Sequence, residues 1–139
     1  MAIWRRAVTV GAGLDVPEGT VGATLGLRIT EVGTDYLRGT LPVDARTRQR
    51  QGRLHGGASC VLAEELGGVA GQLCTELGSI CVGVELNASH LRAAAEGDVT
   101  GTARPLRIGR SLQVWEIRIE DVDMRLVCIA RLTLAVVAE

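Results

Sequence analysis

The chain has 139 residues, 47% of them apolar, with a formal net charge of −1, which predicts one domain over residues 1–139 with a core of its own. The near-neutral charge excludes a general attraction to nucleic acid or membrane surfaces, and no apolar run reaches the ~18 residues of a membrane span. All fifteen basic residues are arginine, which excludes lysine Schiff-base chemistry; two histidines and four cysteines without a Cys-x-x-Cys pair predict no metal site and free buried thiols.

Residues 1–19, with Gly11, Gly13, Pro17 and Gly19, read as an irregular terminal arm holding at most a short helix. The apolar stretch here is weak and broken by glycine, so no secretory signal is expected and the compartment reads as cytoplasmic. Strand-like runs follow at 21–30 and 36–42, around the turn signal Val32-Gly33-Thr34-Asp35. An arginine-rich loop occupies 44–53. A long helix is predicted over 57–77, with Gly78 as its C-cap. Four strand-like segments then run at 80–89, 98–106, 111–120 and 125–137, separated by short connections that favour antiparallel hairpins. The apolar run Leu126-Val127-Cys128-Ile129-Ala130 predicts an interior strand. With only Trp4, Tyr36 and Trp115 as aromatics, the core must be largely aliphatic. The fold class is α+β, a mostly antiparallel sheet wrapping one helix.

At about 100° per residue the helix sorts into faces. Ala58, Leu62, Leu66, Val69, Ala70, Leu73 and Leu77 form the stripe that packs on the sheet. Glu65, Gln72 and Glu76 cluster elsewhere and read as solvated. Glu64 stands apart, beside Cys60, Gly67, Gly68, Gly71 and Thr75. Helical glycine costs about 0.8–1 kcal/mol against alanine, so three together predict close approach of a backbone or a ligand. A carboxylate on such a face is expected to be partly desolvated and more basic, or else to be a surface glutamate beside a helix contact. Before the helix, Leu54-His55-Gly56-Gly57 gathers N–H groups at the positive end of the helix dipole, an arrangement that suits an oxyanion. His55 is either part of that site or a hydrogen-bonded structural residue.

The segment from Arg48 through Gln49, His55, Gly56 and Gly57 to Glu64 resembles the hot-dog-fold acyl-CoA thioesterases of the 4-hydroxybenzoyl-CoA type. It is most similar to the subgroup that includes the enterobactin proofreading and 1,4-dihydroxy-2-naphthoyl-CoA thioesterases. Gly83-Val84-Glu85-Leu86-Asn87-Ala88-Ser89-His90, Glu96-Gly97-Asp98-Val99, the stretch from Arg104 to Arg110, Gln113-Val114-Trp115-Glu116-Ile117 and Ile3-Trp4-Arg5-Arg6 also match. The resemblance implies one long central helix wrapped by a roughly six-stranded antiparallel sheet. It further implies homodimers with shared active sites, paired into homotetramers, and a small-molecule acyl-CoA substrate with no separate cofactor. It assigns catalysis to Glu64, Gln49, His55 and Gly56, with Glu64 facing Gln49 and Gly56 of the other protomer. His90, Arg92 and the Gly109-Arg110-Ser111 turn correspond to positions that hold CoA, and an aromatic acyl group, with menaquinone biosynthesis as one setting, is the first expectation.

Two departures stand out. Gly68, one turn after Glu64, replaces the Ser or Thr that such relatives often carry beside the bound water, which leaves open a weakly active or non-catalytic acyl-CoA-binding protein. A medium-chain or broad-specificity housekeeping thioesterase is a further alternative, while a hydratase reading is weakened by the nine-residue spacing of His55 and Glu64. Asp121-Val122-Asp123-Met124 lacks the expected hairpin glycine and predicts a different turn.

Overall fold

In the computed structural model, which describes residues 1–11 and 14–139, the elements run α1 Val21–Leu25, β1 Arg28–Val32, β2 Leu37–Pro42, α2 Gly56–Leu73, β3 Ser79–His90, β4 Asp98–Ile108, β5 Leu112–Glu120 and β6 Leu126–Ala138. The strands form one antiparallel sheet in the order β1-β2-β4-β5-β6-β3. This sheet curls around α2, the hot-dog arrangement that was expected. Gly13, one of the four punctuating residues of the predicted arm, lies outside the described residues.

Alternation in the strands sets the inner face. Leu37 and Leu41 of β2, Val99 and Ala103 of β4, Trp115, Ile117 and Ile119 of β5, and Leu132 and Leu134 of β6 are buried against Ala58, Leu62, Leu66, Ala70 and Leu73 of α2. Gly39 and Gly101 are register partners across β2 and β4. A Cβ on either would come within 2.8 Å of a Leu66 methyl. The two glycines therefore form a notch that lets the sheet close onto the helix, and filling it would cost about 1–3 kcal/mol in overpacking.

Three expectations are corrected. The run 21–30 is not one strand: Thr20 caps a five-residue helix, and Gly26, at φ +83, ends it before β1 starts at Arg28. The long helix stops at Leu73, not Leu77, and Cys74, not Gly78, follows its last turn. Its final carbonyls are tied up from outside, where Arg5 N–H donates to Leu73 O and Gln113 Nε2 to Gly71 O, while the Arg6 guanidinium donates to the carbonyls of Thr75, Glu76 and Ser79 in the turn beyond. Gly78, at φ +86, serves the turn into β3 instead. The arm itself is pinned. Ile3 N–H donates to Thr34 O, Arg5 N–H to Leu73 O, and Trp4 stacks on Trp115 at 6.4 Å.

At 121–124 the chain turns with Met124 at φ +61, a conformation usually left to glycine. The Asp121 carboxylate accepts from the N–H groups of Asp123 and Arg125, and these donors together with the Arg125 guanidinium hold its pKa below the usual carboxylate value.

Candidate active site

The loop before α2 is built to aim the helix N-terminus. Buried Thr47 donates through Oγ1 to Pro42 O and accepts the His55 N–H on its carbonyl at 2.7 Å. Gln49 closes the following turn by accepting the N–H groups of Gln51 and Arg53 on its side-chain oxygen, which leaves its NH2 group free to donate. His55 is the N-cap of α2: its Nδ1 accepts the Gly57 N–H at 2.8 Å. That bond fixes Nδ1 as the unprotonated nitrogen and leaves Nε2 to carry the proton of the neutral ring. His55 O accepts from Ala58 and Ser59. Among the described residues, Gly56 N–H is the first-turn donor without an acceptor, as a helix N-terminus requires of at least one group.

The His90 ring covers that corner, 3.0–3.4 Å from where a Gly56 Cβ would be. A cleft of about 570 Å³ opens there, lined by Gln49, Gly56, Ser59, His90, Arg92 and others. Four of the residues singled out in the sequence thus share one cleft, and the structure adds Ser59, whose only advance signal was a small polar residue one turn into the helix.

Glu64 lies elsewhere. Its carboxylate is exposed and rests against Gly83 of β3, where any side chain would collide with it. Beside it is a hollow of about 230 Å³ walled by Val21, Cys60, Val61 and Glu65. Gly83 was not singled out as a site residue; a lone glycine within a strand pattern was the available signal, since it marks a bulge or a close approach. The register does shift there, between Gly83 and Glu85. The neighbouring carboxyl is corrected too. Glu65 is half-buried, and burial raises its pKa from the ordinary value.

The glycine face divides by function. A Cβ at Gly67 would sit 2.6 Å from a Leu132 methyl, and one at Gly71 would collide with Leu134. Those two glycines let α2 approach β6. Gly68 alone faces open space. Gly109 and Arg110 line another cleft of about 440 Å³ with Arg5, Thr75 and Ser79, at the far end of α2, while Ser111 accepts the Val136 N–H at the adjoining β4–β5 turn. Gly56 and Leu73 are about 26 Å apart along the helix, so one chain does not bring this turn to His90 and Arg92.

The decisive distance is between Gly56 and Glu64. Eight residues along a helix is about 12 Å, whereas a carbonyl activated by one and attacked from the other must lie within about 3 Å of both. Within one chain Gly56 and Glu64 do not meet. They flank the two ends of the same stretch of β3, which among the described residues is an edge strand with β6 on one side only.

Residues 51–128 match the family described as the Thioesterase superfamily. The 1,4-dihydroxy-2-naphthoyl-CoA hydrolase of Escherichia coli (strain K12) is 49% identical over 96% of this chain and 98% of its own. The proofreading thioesterase EntH of Cronobacter turicensis is 48% identical with the same coverage. Among solved structures, thioesterase HI1161 of Haemophilus influenzae superposes with a TM-score of 0.94 at 41% identity, covering 98% of this chain and 95% of that one. A mutant of thioesterase PA1618 of Pseudomonas aeruginosa gives 0.93 at 42%, covering 99% and 100%.

Proposed function

The chain belongs to the thioesterase superfamily and is a thioester hydrolase, and from that premise we propose that it cleaves an aromatic acyl-CoA at sites shared between two copies. The observation that carries this reading is the division of the candidate site along β3. The free stretch, residues 83–90, begins beside Glu64 and ends at the His90 ring over Gly56. An antiparallel pairing of that stretch with its copy lays residue 83 of one chain against residue 90 of the other. Glu64 then meets the partner's cleft, and the 109–111 turn, which lies near Ser79, moves toward the partner's Arg92.

In that assembly the unpaired Gly56 N–H polarises the thioester carbonyl. Gln49 Nε2 and His55 Nε2 orient the thioester and water. Glu64 either attacks the carbonyl, giving an anhydride that water opens, or takes a proton from the water that attacks; both routes end in free acid and CoA thiol. Single-turnover hydrolysis in ¹⁸O-water distinguishes them. The partner strand would also desolvate Glu64, making it a better base or nucleophile. Arg92 and Arg110 offer planar forks for CoA phosphates, and CoA enters only as part of the substrate. Val21, Cys60 and Val61 would seat the acyl group; similarity to the 1,4-dihydroxy-2-naphthoyl-CoA hydrolase of Escherichia coli favours an aromatic one. Four free cysteines fit a reducing, cytoplasmic compartment. Pairing of dimers into tetramers rests on the resemblance alone.

A thiol-release assay over aromatic and aliphatic acyl-CoAs tests the reading. Glu64→Ala and Gln49→Ala should each lose on the order of 10³-fold or 10²-fold in kcat while staying folded. Randomly mixed, the two inactive variants should recover about a quarter of wild-type activity, since about half of the dimers would have one intact site of two. No recovery on mixing, with subunit exchange demonstrated, would sink the shared site.

A further inference from the structure

We infer that Gln72 is a positioning residue for this reaction, because its side-chain amide occupies the start of the free β3 edge and so sets the register at which a second copy can pair. This rests on the shared-site reading above. Gln72 lies in the last turn of α2, eight residues beyond Glu64. Its Oε1 accepts the Cys81 N–H at 3.0 Å, and its Nε2 donates to Ser79 O at 2.9 Å. A carboxamide offers the same one-donor, one-acceptor pair as a backbone peptide, so Gln72 acts as a one-residue surrogate strand. Its second amide hydrogen is held by Thr75 Oγ1 at 3.1 Å, and Thr75 Oγ1 in turn accepts from Arg6.

A free strand edge is a template for any strand that fits it, and sliding the partner by two residues preserves the hydrogen-bond pattern while moving it about 7 Å. Such a slide would carry the partner's Gly56 out of reach of Glu64. With residues 79 and 81 already bonded to Gln72, the pairing stretch begins at Gly83, beside Glu64, and its full overlap with a copy ends at His90. The clamp also lies on the helix that carries Glu64, so the carboxylate and the register are fixed from one rigid element.

The test is Gln72→Leu, which keeps the size and removes both bonds. The dimer should persist by sedimentation, with kcat reduced tenfold or more and KM within about twofold, because slipped dimers are dead and correctly paired ones are normal. Active-site titration should fall in step with kcat, a change that simple loosening of the helix end would not produce. Gln72→Glu keeps the acceptor for Cys81 N–H and should lie between the two. Hydrogen exchange gives a readout free of turnover: the Cys81 amide should be protected even in dilute monomer and lose that protection in Gln72→Leu. Full kcat in dimeric Gln72→Leu alongside a dead Glu64→Ala would overturn the inference and leave the shared site standing. Should Gln72→Leu fail to fold or dimerise, a Gln72→Glu variant with an active fraction undiminished from wild type would also overturn it. Unprotected Cys81 in the wild-type monomer would overturn it whatever the enzyme hydrolyses.

Discussion

Gly68→Ala and Gly67→Ala put the same methyl group on neighbouring residues of α2 and should move stability in opposite directions. Both remove a helical glycine, which is worth about 0.8–1 kcal/mol. At Gly68 the added Cβ meets nothing within 4 Å, so the full gain should appear, about 3 °C in Tm for a domain of this size. At Gly67 the Cβ lies 2.6 Å from one Leu132 carbon and 3.5 Å from another, and 3.4 Å from Ile117. Leu132 and Ile117 are fully buried and cannot swing aside, so overpacking of about 1–3 kcal/mol outweighs the helix term. The net expectation is a loss of about 0–2 kcal/mol, and a gap of about 1–3 kcal/mol between the variants. Urea unfolding at one fixed protein concentration measures it, since association would add a mass-action term. Gly68→Ser in the same series should be close to neutral in stability and place a hydroxyl one turn after Glu64, with activity kept or raised. A loss above about 1 kcal/mol in Gly68→Ala would refute the reasoning, because it would mean that position 68 is packed in the assembled protein.

Three further outcomes are expected. His55→Ala should cost about 1 kcal/mol through the lost cap, whereas His55→Asn should keep the cap and most of the stability; if Nε2 faces the thioester both lose turnover, and a fully active His55→Asn would reduce the residue to a cap. Glu65 has its pKa raised by burial, so its contribution is present in acid and is lost as pH rises through the folded value. Glu65→Gln should therefore raise Tm at pH 7 and have little effect below about pH 4, and a pH-independent change would argue against a burial origin. Met124→Gly should gain about 1 kcal/mol by relieving the left-handed conformation, read as a higher urea midpoint with unchanged slope.

Strand alternation made β2 and β4 to β6 legible, because in each the buried positions recur at every second residue over much of the strand. The ends of the helices were not legible, because contacts distant in sequence decide them. The Leu73 carbonyl at the end of α2 is held by the Arg5 N–H from about seventy residues away, and a Thr20 cap with a left-handed Gly26 turns a strand-like run into α1. The small-residue face of α2 was visible as a pattern, but which glycine packs and which is open depends on Leu132 and Leu134 of β6. Gln49, Gly56, His90 and Arg92 were all quoted from the sequence, and they meet in one cleft because the 49–56 loop and the end of β3 adjoin. Gln72 looked solvated on a wheel, since a wheel does not show that a strand returns beside it.

The edge strand links stability to chemistry. The outer edge of twelve-residue β3, open from Gly83 onward and flanked by exposed Val82 and Val84, is an aggregation hazard if left open, and the proposed pairing with a copy would remove it. The same pairing would bring Gly56 and Glu64, about 12 Å apart along one helix, together from two chains. Selection for a closed edge and selection for a complete site then act on one interface, so a variant that weakens the pairing should lose activity and solubility together. Gly83 sits where both demands meet. A side chain there would collide with the Glu64 carboxylate, and it stands at the point where the free edge begins. Gly83→Ala should accordingly lower kcat more than it lowers Tm, and equal loss of both, tracked by activity and melting on the same samples, would mean that the residue matters only to the sheet.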